Sequence, residues 1–113
     1  MADFPEPSVR VTRYEVSCLP EDNINHRYFK LHVEHRGSGH WIVCQDGLPR
    51  LCLGRDGTWE YESAVDDEWI AMRTFDEETA LALAREAAPD VTVNGYSVAH
   101  FLQRAAARKA TDG

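Results

Sequence analysis

The sequence predicts an α+β domain: an antiparallel sheet of two hairpins plus an N-terminal strand, with two C-terminal helices packed on one face. Three observations predict it. Apolar and polar residues alternate through the first half of the chain and are broken by two glycine-bearing turns, GSG and RDG. An apolar stripe of helical period fills residues 76–88 and recurs after residue 97. No stretch of linker composition separates the two halves, so the 113 residues read as one domain around one core. Residues 1–8, MADFPEPS, hold two prolines and no period and are expected to form a flexible N-terminal arm. Residues 9–105 are expected to be the single α+β domain, and residues 106–113 a frayed C-terminal tail.

Residues 9–19 alternate imperfectly and should form the first strand, stopped by Pro20. PEDNINHR follows as a polar loop. In residues 27–47, RYFKLHVEHRGSGHWIVCQDG, the alternation is clean: Phe29, Leu31, Val33 and His35 share one parity, Tyr28, Lys30, His32 and Glu34 the other. A three-residue loop of Gly37, Ser38 and Gly39 pairs Val33 with Val43 and His35 with Trp41. That register gathers Leu31, Val33, Trp41 and Val43 on one face, and a slip of one residue would turn them all to the other. In the second hairpin, Gly57 in the left-handed conformation places Leu53 opposite Trp59 and Leu51 opposite Tyr61. Together these give a four- or five-stranded sheet over residues 9–63.

The helices are punctuated by their ends. Asp76 is a natural N-cap, Glu77 and Glu78 suit the positive helix terminus, and Pro89 stops the segment. Ala80, Leu81, Leu83, Ala84, Ala87 and Ala88 form its apolar stripe, whose alanines allow close approach to a sheet. VTVNG then reads as a short strand and turn. Ser97 can cap a second helix with Val98, Phe101, Leu102 and Ala105 inward. SAVDDEWIAMR fits neither period, and only a short helical turn over residues 67–71 is expected there.

Composition narrows the function. No apolar run approaches the roughly 20 residues of a membrane helix, and no basic-then-apolar leader opens the chain, so a soluble cytoplasmic protein is expected. Cys18, Cys44 and Cys52 form no C-x-x-C pair and are expected as reduced, half-buried thiols, although a disulfide leaving one thiol over is open. Net charge is −7, and residues 56–90 alone hold eleven acidic against two basic side chains. An acidic protein of this kind is a poor general phosphate binder. Ten of its twelve basic residues are arginine and alanine is abundant, as in a GC-rich genome.

Three histidines and a cysteine in residues 27–47 raise the question of a metal site. In the expected register His32 faces Cys44 on the outer side of the sheet. His35 falls on the opposite side, and Cys52 and His26 lie on other elements. Zinc needs three or four convergent ligands, so no metal and no cofactor are expected, with these residues lining a solvated face instead; a His/Cys metal-binding protein is the alternative. Cys44 and His32 as nucleophile and base lack an orienting acid and a strained elbow. Adjacent acids at Asp66, Asp67 and Glu68 read as a solvated face rather than an acid–base pair, and no glycine-rich phosphate loop exists. The chain is therefore not expected to be an enzyme.

One surface remains. Asp66, Asp67, Glu68, Trp69, Met72, Asp76, Glu77 and Glu78 mix acids with an aromatic residue and a methionine, a combination found at protein interfaces. Trp69 and Phe75 have an alternative role in the core, locking sheet to helix. Protein binding is the expected function, and nucleic acid is not an expected partner. The acidic face imitating DNA, or Arg104, Arg108 and Lys109 touching phosphate, is the alternative in that class.

RYEVSCLPEDNINHRYF, the HW pair, DGTWEYES, DEW, RTFDEETALALAREAAP and VTVNGYSVA, taken as a set over residues 13–99, resemble small uncharacterised proteins of actinobacteria and their bacteriophages. The resemblance implies a context, a small phage-encoded accessory protein acting inside the host cell; an unidentified protein, such as a host protein, is the expected partner. It implies no activity and no site residues.

Overall fold

The computed structural model of the protein describes residues 4–47, 50–62 and 66–112. Residues 1–3 of the expected arm, residues 63–65 before the first helix, and residue 113 lie outside the described residues. The alternating first half forms five strands in chain order: β1 (Arg13–Val16), β2 (Leu31–His35), β3 (Trp41–Gln45), β4 (Leu51–Leu53) and β5 (Trp59–Tyr61). Every neighbour is antiparallel, so each connection returns the chain beside the strand it left. Val33 faces Val43, His35 faces Trp41, Leu53 faces Trp59 and Leu51 faces Tyr61, the expected registers. Gly57 turns at φ 83°, and the GSG loop holds Gly37, Ser38 and Gly39 all at positive φ. Glycine reaches that conformation without a Cβ penalty.

Helix α1 is Asp67–Arg73, α2 is Glu77–Ala87, and a two-stranded ribbon, β6 (Thr92–Val93) with β7 (Tyr96–Ser97), precedes α3 (Val98–Asp112). The class is α+β. Asp76 caps α2 by accepting from the Thr79 amide at 2.7 Å, and Ser97 Oγ accepts from the His100 amide at 3.1 Å at the start of α3. Both caps satisfy amides that lack an intrahelical acceptor. Ala80, Ala84 and Ala88 are fully buried where α2 lies on β2 and β3, joining Leu31, Val33, Trp41, Val43 and Leu53 in the main core. Phe29 precedes β2 and meets Phe101 of α3 edge to face at 5.3 Å. None of the helices among the described residues is long and apolar enough to cross a membrane.

The structure departs from the sequence reading at four points and decides one that the sequence left open. The first strand begins at Arg13, not Val9, and Val9 and Val11 stay exposed. β2 ends at His35, whose amide makes one last bond to Thr12 O, so residues further upstream have no ladder to join. Leu102 is exposed, because α3 packs through Val98, Phe101 and Ala105 and Leu102 lies one step around, in a groove with Ile24. α1 runs two residues past the expected turn. Phe75, which the sequence leaves open between surface and core, is core: it is buried and exchanges two backbone hydrogen bonds with Trp41, both 2.8 Å, adding one rung to β3. Finally, the outer face of the sheet is not solvated at its centre. His32, Ile42, Cys44 and Cys52 are fully buried there, and Trp69 of α1 packs over the last three as a second, smaller core.

Candidate functional site: an acidic cleft beside α1

The second face is built from a row of residues directly opposite one another: Glu15, His32, Cys44, Cys52 and Glu60 on successive strands. Burial of polar groups is costly unless they are paired, and this face pairs most of them, leaving Arg50 Nε, Trp69 Nε1 and Arg73 Nε without a hydrogen bond. Arg13 Nε donates to His32 Nδ1 at 3.0 Å, and His32 Nε2 lies 2.5 Å from Asp46 Oδ2. Arginine can only donate, and Arg13 Nη2 also lies 3.1 Å from Nε2, so Arg13 reaches both ring nitrogens and Asp46 meets Nε2. Arg50 donates to Glu34 Oε2 at 2.6 Å and to Cys44 Sγ at 3.2 Å, while Glu62 pairs with Arg36. With both ring nitrogens of His32 engaged and Cys44 hydrogen-bonded to Cys52 and Arg50, the two residues considered as base and nucleophile do not address each other. Among the described residues, no group of three or more His, Cys, Asp or Glu side chains converges as a metal site.

α1 sits against this face. Asp66 is its N-cap, accepting from the Trp69 amide at 2.8 Å, and Asp67 and Glu68 occupy the first turn, where the helix dipole favours negative charge. Arg73 ends the helix almost fully buried, 2.9 Å from Glu60 and with its guanidinium 5.7 Å from the centre of the Trp69 ring. Arg55 ties the helix end down by donating to the carbonyls of Ala71 and Thr74 at 2.8 and 2.7 Å. Between α1 and the β4–β5 hairpin lies a cleft of about 260 Å³ lined by Asp56, Glu60, Asp66, Glu68, Trp69, Met72 and Arg73. Four carboxylates face one guanidinium that Glu60 already holds. At this volume the cleft is below the size of drug-like pockets. Ile70 and Met72 beside it are exposed.

Of the eight residues singled out in the sequence, Asp66, Glu68, Trp69 and Met72 line this cleft. Asp67 is exposed on the same helix turn. Asp76, Glu77 and Glu78 are not among the lining residues. They open α2, where Glu77 accepts from the Tyr14 hydroxyl at 2.5 Å and holds that phenol above its ordinary pKa. Asp66 and Asp76 thus serve as caps, and the Thr79 amide and hydroxyl hold the Asp76 carboxyl below the usual range. Sequence reasoning did not place Asp56 and Glu60 in this site, because they belong to the second hairpin, where they read as a turn residue and a strand-surface acid with no sign that α1 lies beside them. Trp69 is half-buried: one part of the indole packs on the second core, and its Nε1 is buried with no protein hydrogen-bond partner.

Two larger grooves lie elsewhere. One of about 410 Å³ runs between the β4–β5 hairpin and the end of α2, past Trp59, Leu83, Glu86 and Asp90. The other, about 420 Å³, lies between residues 20–25 and α3 and is bordered by Arg104, Arg108 and Lys109. The fold and cleft define a small α+β domain that carries a small, charged recess. No family model, curated protein or solved structure matches the chain.

Proposed function

We propose that the protein is a small non-enzymatic accessory protein of the cytoplasm that binds another protein through the acidic surface of α1. The observation that carries this reading is the cleft in which Asp56 and Glu60 join Asp66 and Glu68 beside Met72, next to exposed Ile70. A basic side chain of the partner enters the cleft and the two apolar side chains cover its surroundings. Long-range attraction by the carboxylates speeds association, and apolar contact slows release. In the phage or actinobacterial setting that the sequence resembles, the partner is a basic host protein.

The test is affinity capture from an actinobacterial lysate, followed by binding kinetics with Glu68→Lys and Met72→Ala. Asp66 is unsuited to charge reversal because its loss uncaps α1. Glu68→Lys should slow association in a salt-dependent manner, and Met72→Ala should speed dissociation about tenfold, equivalent to about 1.4 kcal/mol. A captured partner indifferent to both substitutions refutes the surface. A gel shift with duplex DNA that is abolished by truncation after Arg104 would instead move function to α3.

A further inference from the structure

Cys44 and Cys52 are partners on adjacent antiparallel strands, and their Sγ atoms are 2.9 Å apart. The hydrogen-bond phase of the sheet fixes what kind of pair they are. Arg36 N bonds to His40 O, so the phase that alternates along β2–β3 has Cys44 exchanging its bonds with His32. Gly54 N bonds to Thr58 O and Glu62 N to Arg50 O, so Cys52 likewise exchanges its bonds with Glu60. Cys44 and Cys52 therefore face each other as a non-hydrogen-bonded pair. In such pairs the Cα atoms approach to about 4.5 Å, inside the range of about 4.4–6.8 Å that a disulfide spans. The sulfurs need close by only about 0.9 Å to reach bonding distance.

We propose that Cys44 and Cys52 are a reversible dithiol–disulfide site, oxidised within the folded protein by hydrogen peroxide and restored by a dithiol reductant. The surroundings favour the reacting form. Arg50 places a guanidinium nitrogen 3.2 Å from Cys44 Sγ, and positive charge favours thiolate. The hydrogen bond from Cys44 keeps Cys52 below the ordinary thiol range, while the same bond and burial push Cys44 up, so the pair shares one proton readily and gives up the second with difficulty. A thiolate sulfur attacks peroxide and breaks the O–O bond, leaving a sulfenic acid and, after protonation, one water. The second sulfur then displaces the sulfenic oxygen as another water, so two thiols and one peroxide become one disulfide and two waters. Both sulfurs are fully buried beneath Trp69, so the oxidant enters when α1, only seven residues long, opens locally.

The test uses the full chain, reduced and freed of reductant, then exposed to hydrogen peroxide and alkylated in denaturant. Arg50 lies between the two cysteines, so trypsin leaves them on separate peptides that only a disulfide joins. The expected result is peptides 37–50 and 51–55 recovered as one linked species, two fewer alkylatable thiols per chain, and full recovery on adding dithiothreitol. A Cys18→Ser variant, altered only at the exposed thiol, should give the same link. Oxidation of Cys18 with Cys44 and Cys52 still alkylatable would overturn the proposal, as would links that run mainly through Cys18.

Discussion

Replacing Trp69 with alanine is the perturbation that weighs most on this fold, because one side chain covers Ile42, Cys44 and Cys52 and also walls the acidic cleft. Truncating a fully buried tryptophan costs about 3–5 kcal/mol. Trp69 is only half-buried, which lowers that figure. Its Nε1 is buried without a partner, so the substitution also removes an unsatisfied donor of the kind that costs about 1–3 kcal/mol. The net loss should be about 2 kcal/mol. A domain of this size holds about 5–15 kcal/mol, so the variant stays folded. In urea, with a slope of about 1.3 kcal/mol/M, the midpoint should fall by about 1.5 M with the slope unchanged. Trp69→Phe should recover most of it, since the ring returns without the N–H. A second readout follows from the cover: under native conditions a thiol reagent should reach Cys18 much faster than Cys44 and Cys52 in the parent chain, and the two buried thiols should react faster in the variant than in the parent. A midpoint shift below about 0.3 M, together with unchanged thiol protection, would refute the packing argument and make Trp69 a surface residue.

Two further outcomes follow. Asp76 has its carboxyl pKa lowered, by the Thr79 amide first and the Thr79 hydroxyl second. Its stabilising effect is present above the unfolded aspartate pKa and is lost as pH falls through the lower folded value, so Asp76→Asn should lower the melting temperature at pH 7 and flatten the acid side of the profile, the two profiles converging at the acid end. A variant profile parallel to the parent's would refute this. In double-mutant cycles, the half-buried Arg50–Glu34 pair, at 2.6 Å, should couple by at least about 1 kcal/mol in urea unfolding, and the more open Lys30–Glu15 pair by less. Equal couplings would show that burial on the second face adds nothing.

The registers were legible in the sequence because side chains alternate with period two, and one choice of pairing gathered Leu31, Val33, Trp41 and Val43. The caps were legible because aspartate and serine at Asp76 and Ser97 preceded apolar stripes. Alternation, however, says which residues share a face and not whether that face is covered. His32 and Cys44 were placed correctly opposite each other and wrongly in water, since Cys44 is covered by Trp69, in a segment whose pattern fitted neither period, and His32 is held by Arg13 and Asp46. The same holds for the cleft. Half of its carboxylates lie on α1, and Asp56 and Glu60 come from a hairpin that reaches it only through the twist and order of the sheet. Phe75 carried an apolar side chain that marked it for the core, yet its bridge to Trp41 is a backbone event with no side-chain signature.

The strand order of the main sheet, identical to the order of the chain, has a consequence for how the protein reaches this state. Three of the four ladders close loops of five residues, 36–40, 46–50 and 54–58, so strand pairing can propagate from either hairpin turn at a small closure entropy, and β1 joins across the longer connection 17–30. The contacts that must wait are those spanning long separations: Phe75 onto Trp41, α2 onto β2 and β3, and Trp69 onto the buried cysteines. A chain whose sheet completed before α1 seated would hold Cys44 and Cys52 side by side on a bare face. In that order of events an oxidant would meet the two sulfurs before the tryptophan closes over them.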